Sequence, residues 1–77
     1  MKYTRYFMTT RERPDRALIR DEWIQRVIDH PVKETIQQDG RIRRWALIPD
    51  VGKYLWVVTE ADGETVHNAF FDRRFKP

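Results

Sequence analysis

The sequence has no cysteine and no serine, only two histidines and three glycines, and no long apolar run in its 77 residues. Each absence removes a class of function. Without cysteine there is no disulfide scaffold, zinc ribbon or thiol nucleophile. Without serine there is no serine nucleophile. His30 and His67 alone cannot build a His-rich metal centre, so no metal and no cofactor is expected. The glycines are dispersed among turns, which rules out a Gly-rich phosphate loop. No stretch approaches the roughly 18 apolar residues of a membrane span, and no signal-peptide core follows Met1. The expectation is a single small, soluble, cytoplasmic domain over residues 1–77 with no membrane partner. It is too short to hold a cofactor lobe or a large substrate cavity.

What the chain does have is arginine. Fifteen Lys plus Arg face twelve Asp plus Glu, a net charge of +3, and eleven of the fifteen cations are Arg. Arg grips phosphate bidentately and stacks on planar groups. The cations cluster at Lys2, Arg5, Arg11 and Arg13, at Arg41, Arg43 and Arg44, and at Arg73, Arg74 and Lys76. Such clusters suit an anionic partner, nucleic acid first among them. They also suit the plainer role of keeping a small apolar domain in solution.

The pattern changes character at His30–Pro31. Before it, Thr4–Glu12 can form a short helix with Tyr3, Phe7 and Met8 as an apolar stripe. Pro14 interrupts, and Asp15 or Asp21 can cap a second helix whose face is Leu18, Ile19, Trp23, Val27 and Ile28. Pro31 ends that helix, leaving His30 to interact with its dipole. After it, Thr35–Gln38, Arg41–Ile48, Tyr54–Thr59 and Thr65–Phe71 read as strands. They are separated by turns at Asp39-Gly40, Pro49-Asp50-Val51-Gly52 and Ala61-Asp62-Gly63. Connections this short allow only an antiparallel meander. The fold class expected is α+β, with two short N-terminal helices packed on one face of a four-stranded antiparallel sheet. The tail Asp72–Pro77 is expected to be only partly ordered.

A two-residue type I′ turn at Asp39-Gly40 places Gln38 opposite Arg41, Ile36 opposite Arg43 and Glu34 opposite Trp45. Alternation then sets Ile42, Arg44, Ala46 and Ile48 on the core face and leaves Arg41, Arg43 and Trp45 outside. Two arginines beside an exposed indole suit phosphate contact and base stacking. The alternative is an ordinary surface pair between Arg43 and Glu34. His67 lies within the last strand, where an imidazole can exchange a proton with the ribose 2′-hydroxyl while Arg stabilises the phosphoryl charge. A strand histidine satisfied by its neighbours is the structural alternative. Arg73 and Arg74 can close over the same surface or simply form a solvated tail. The carboxylates Asp21, Glu22 and Asp50 sit at a helix start and a turn, where capping accounts for them.

The order of these features is also informative. A helix ending Val27-Ile28-Asp29-His30-Pro31 precedes Asp39-Gly40-Arg41-Ile42-Arg43-Arg44-Trp45. Then come Gly52-Lys53-Tyr54-Leu55-Trp56-Val57-Val58 and Thr65-Val66-His67-Asn68-Ala69-Phe70. Over about residues 14–74 this resembles the small toxins of the RelE/ParE superfamily, particularly its BrnT-like branch. The resemblance implies a metal-independent endoribonuclease acting on RNA, including ribosome-associated mRNA, and restrained by a cognate antitoxin; it leaves a homodimer open. It sets the family's basic sheet position on Arg43 or Arg44 and its terminal-strand site on His67, Asn68 and Arg73. Where BrnT-like chains read Ser-Ala-Arg, this one reads Asn68-Ala69-Phe70. The catalytic set expected is His67, Arg43 and Arg73. The nucleic-acid-binding set is Arg41, Arg44, Trp45, Asn68, Arg74 and Lys76. The alternative class is a non-catalytic module that binds nucleic acid or protein through the same face.

Overall fold

A computed structural model describes residues 1–77 and contains six elements. They are α1 (Arg5–Thr10), α2 (Asp21–Asp29), β1 (Lys33–Ile36), β2 (Ile42–Ile48), β3 (Lys53–Thr59) and β4 (Val66–Phe71). Helix α1 starts where the Thr4 hydroxyl accepts a hydrogen bond from the Phe7 amide at 3.1 Å, satisfying one of the helix's free N–H groups. It ends earlier than the sequence suggested, and residues 11–18 run through turns. Helix α2 also begins later than its apolar spacing suggested. Leu18 is exposed, Ile19 is buried ahead of the helix, and Asp21 and Glu22 supply negative charge to the first turn. Its buried stripe is Ile24 and Val27, flanked by Trp23 and Ile28, and it stops before Pro31 as expected.

The strands pair in the order β1-β2-β3-β4, all antiparallel, so the fold is α+β with the helices preceding the sheet in the chain. Both helices bury their apolar sides against one face. The core there comprises Phe7, Ile19, Ile24 and Val27 against Ala46, Ile48, Leu55, Val57, Val66 and Ala69. The chain start docks along the free edge of β4. Val66 N donates to Lys2 O at 2.8 Å and Thr4 N donates to Val66 O at 2.9 Å, which covers one exposed row of backbone groups.

The first hairpin corrects the sequence reading. Ile36 pairs with Ile42, Thr35 with Arg43, Glu34 with Arg44 and Lys33 with Trp45, one residue away from the register expected from a two-residue turn. Gln37 N donates to Arg41 O and Gly40 N to Gln37 O, so three residues form the loop and Gly40 takes a φ of 92°. That positive φ is the glycine position of a three-residue hairpin. The third hairpin carries an irregularity of its own. Val58 lies opposite Asn68 and Thr59 opposite Val66, so His67 is an extra residue bulged out of the β3–β4 ladder.

The helix-free face is not bare. Trp45 stacks on Trp56 at 5.3 Å between centroids, and Trp56 meets Phe70 at 4.5 Å. The tail folds back so that Phe75 lies nearly parallel to Trp45, 5.2 Å away, and tilts against Tyr54 at 5.0 Å. Two expectations change as a result. The tail is packed rather than partly ordered, and Trp45 is buried at 8% exposure instead of presenting a free indole.

Candidate nucleic-acid interface

Strand alternation places Arg41, Arg43, Glu60 and Asn68 on the helix-free face, at the end where the first and third hairpins turn. The opposite end of that face holds the aromatic cluster under Phe75. One surface is therefore divided into a polar half and an aromatic half. His67, unpaired in the ladder, joins the polar half through Glu60, which lies between it and Arg41.

The imidazole of His67 is held from several directions. Its Nδ1 lies 3.2 Å from Thr4 Oγ1 and 3.5 Å from Glu60 Oε1. Its ring stacks on Tyr6, with centroids 4.9 Å apart and planes inclined by 22°. Partial burial pushes the His67 pKa below its ordinary value and the nearby Arg41 charge pushes it further down, while Glu60 and Asp39 oppose both. The lowering effects win, so the pKa lies below that of a free imidazole. With the proton assigned to Nδ1, that nitrogen donates to the Thr4 hydroxyl beside the Glu60 carboxylate, and the Nε2 lone pair is left as the acceptor.

Around it lie the cations. Arg41 bridges Asp39 at 3.1 Å and Glu60 at 3.4 Å, so a chain of charges runs Asp39, Arg41, Glu60 and ends beside the His67 ring. Arg43 stands beside this chain over a shallow depression lined with Gln37, Gln38 and Asp39. With the Gln37 amide assigned from its surroundings, its oxygen accepts from Arg43 Nε at 2.9 Å. Arg43 keeps the rest of its fork free of ion pairs. Across β3, Asn68 accepts from Arg16 Nη1 at 2.6 Å, and the Arg16 guanidinium covers the Phe70 ring at 4.9 Å.

The structure thus brings together His67, Arg41, Arg43 and Asn68 of the expected site. It removes others. Arg44 lies on the helix-covered side, 11% exposed at its side chain, with Nη1 donating to Gly63 O at 3.0 Å and Thr59 Oγ1 at 3.4 Å. Its Nε is 3.7 Å from Glu34, the partner the sequence reading had offered to Arg43. Arg44 is a clasp between hairpins, not a free phosphate ligand. Trp45 is covered by Phe75 and donates its Nε1–H to Asp72 Oδ2 at 3.1 Å, so it offers no stacking platform. Arg73 lies beyond the other end of β4, next to Lys53, six residues along the chain from His67 and so at most about 20 Å away. Arg73 therefore faces Lys53, Phe71 and Asp72 rather than the groups around His67. Arg74 and Lys76 are exposed on the same distant tail.

Sequence reasoning missed Tyr6, Arg16 and Glu60. Glu60 was accessible in principle, since it flanks the Ala61-Asp62-Gly63 turn directly across the hairpin from the last strand. Tyr6 comes from α1 and Arg16 from the turns that follow it, and neither carried a local signal. Comparison with protein-family models, characterised proteins and solved structures finds no match to this chain.

Proposed function

We propose that the chain is the toxin of a toxin–antitoxin pair, a metal-independent endoribonuclease acting on mRNA through the polar half of its helix-free face. The observation that carries this reading is His67, an imidazole held at Nδ1 beside Thr4 and Glu60, with Glu60 joining it to Arg41 and with Arg43 close by. The element order and the segments that resemble RelE/ParE toxins support it.

In the proposed reaction, Nε2 of His67 takes the proton of a ribose 2′-hydroxyl as its oxygen attacks the adjacent phosphorus. The bond to the 5′-oxygen breaks, that oxygen takes a proton from water, and a 2′,3′-cyclic phosphate remains. Arg43, steadied by Gln37, meets the phosphoryl oxygens as their charge grows. Arg41 supplies a second positive charge, tempered by Asp39 and Glu60. The antitoxin in this scheme covers the same face.

The test is incubation of the purified protein with RNA in EDTA. Cleavage should persist and leave cyclic phosphate ends. His67→Ala should fold normally and lose about 10²–10⁴-fold in rate, the span of a positioned acid or base. Full activity in folded His67→Ala removes the assignment. One observation favours a second reading, a module that binds RNA without cutting it: Arg41 has both its contacts satisfied internally. Salt-dependent binding with intact RNA would establish that alternative.

A further inference from the structure

Two adjoining hollows lie at the far end of β4, each about 330 Å³, and they share Lys53, Phe71 and Arg73. One extends to Tyr54, Asp72 and Phe75, the other to Asp15, Arg16 and Phe70. The cations outnumber the available anions. Lys53 and Arg73 enter no ion pair, and Arg16 has only Asp15 at 3.7 Å. Asp72 is occupied on both oxygens, Oδ2 by the Trp45 indole at 3.1 Å and Oδ1 by the Arg74 amide at 3.0 Å. The Arg16 Nε is buried with no hydrogen-bond acceptor of its own. Rings line the same hollows, with Lys53 Nζ 5.6 Å from the centre of Phe71 and Arg16 4.9 Å from Phe70. Unpaired cations alternating with aromatic faces are what the backbone and bases of a single strand require.

We propose that this groove is a second, non-catalytic subsite for single-stranded RNA, in which Lys53 and Arg73 hold a phosphate and Phe71 meets a base. It rests on the reading of the His67 face as an RNA site and extends it. A strand lying along β4 reaches both ends, which six residues of chain set at most about 20 Å apart. The groove thereby anchors the strand while the reacting phosphate sits at His67. It also gives Arg73 a role compatible with its distance from the imidazole.

The experiment measures binding of a fluorescent single-stranded oligoribonucleotide by anisotropy over a range of salt, with the parent, Lys53→Ala/Arg73→Ala and His67→Ala. Losing the one phosphate these two cations hold should make the slope of log K against log salt shallower by about 0.7, the contribution of each phosphate on a single strand. His67→Ala should keep the parent slope and lose only cleavage. A dinucleotide, too short to reach the groove, should be cleaved equally by the parent and the double variant. Lys53→Arg/Arg73→Lys keeps both charges and should keep the slope, and matched thermal melts confirm that all variants fold. An unchanged slope in the double-alanine variant overturns the groove. So does displacement of the strand by sub-millimolar inorganic phosphate, which would mark a site for the free anion. Absence of cleavage by the parent overturns the ribonuclease reading instead, and leaves the slope comparison to decide the groove.

Discussion

Arg43 and Arg44 are neighbours in the sequence, yet they should respond to mutation in opposite ways. Arg44 points into the helix side of the sheet and donates to the Gly63 carbonyl at 3.0 Å and the Thr59 hydroxyl at 3.4 Å. A hydrogen bond from a charged donor contributes about 1.5–3 kcal/mol, and removing it also strands the acceptor. The pair with half-exposed Glu34 at 3.7 Å adds little. Arg44→Ala is therefore expected to cost about 2–3 kcal/mol. For a domain of this size each kcal/mol moves the midpoint by about 5 °C, so Tm should fall by roughly 12 °C. Arg43→Ala removes a side chain whose structural contact is Gln37 and should stay within about 0.5 kcal/mol of the parent. Urea and thermal unfolding followed by tryptophan fluorescence measure both, and RNA binding by the folded variants completes the comparison. Arg43→Ala should weaken binding, whereas Arg44→Ala should leave it intact below its Tm. Equal stabilities for the two variants, or the reverse order, would refute the assignment of one arginine to the fold and the other to the surface. Gly63→Ala is a second probe of the same clasp, because its Cβ would stand 3.2 Å from Arg44 Nη2 at a φ of +76°.

Burial first, and Arg41 second, hold the His67 pKa below its ordinary value, so the unfolded chain takes up the proton before the folded one does. Stability should fall as pH drops from about 6.5 toward the folded-state pKa and level off below it. His67→Gln should flatten that dependence, and an unchanged pH profile would show that the imidazole is not so placed. Phe75→Ala should cost about 1–2 kcal/mol through its contacts with Trp45 and Tyr54, and should alter tryptophan emission. An identical spectrum and Tm would mean that the tail does not pack. Hydrogen bonds from the Thr65 hydroxyl and from the Thr65 and Glu64 amides hold Asp62 down at about 2, which a carboxylate NMR titration reads directly. A midpoint near 4 would contradict the turn geometry.

The meander was legible because its breaks are chemical. Gly40, Gly52 and Gly63 each adopt positive φ at a turn that the sequence marked with Asp-Gly or Pro-Asp-Val-Gly. Pro31 marked the end of α2 with equal clarity. The register of the first hairpin was not legible, since Asp39-Gly40 serves a two-residue turn and a three-residue loop alike. Choosing between them takes the pairing of Ile36 with Ile42. Residue type and strand alternation single out His67 and Arg43, which lie at the same end of the sheet. Arg44 and Trp45 were misread because their partners, Gly63 and Phe75, come from a different hairpin and from the tail. Local patterns carry no record of such contacts. Arg16 was missed for the same reason, as it reaches Asn68 from 52 residues away.

The bulge in β4 bears on how this surface can change over generations. His67 is the residue of that ladder with no opposite number, and the pairs on either side of it, Thr59 with Val66 and Val58 with Asn68, are already in step. Removing one codon would close the gap and leave every remaining pair where it stands. The imidazole is thus supernumerary to the scaffold that displays it. A lineage carrying this sheet can acquire or discard this imidazole through a single three-base insertion or deletion, with the hydrophobic core untouched.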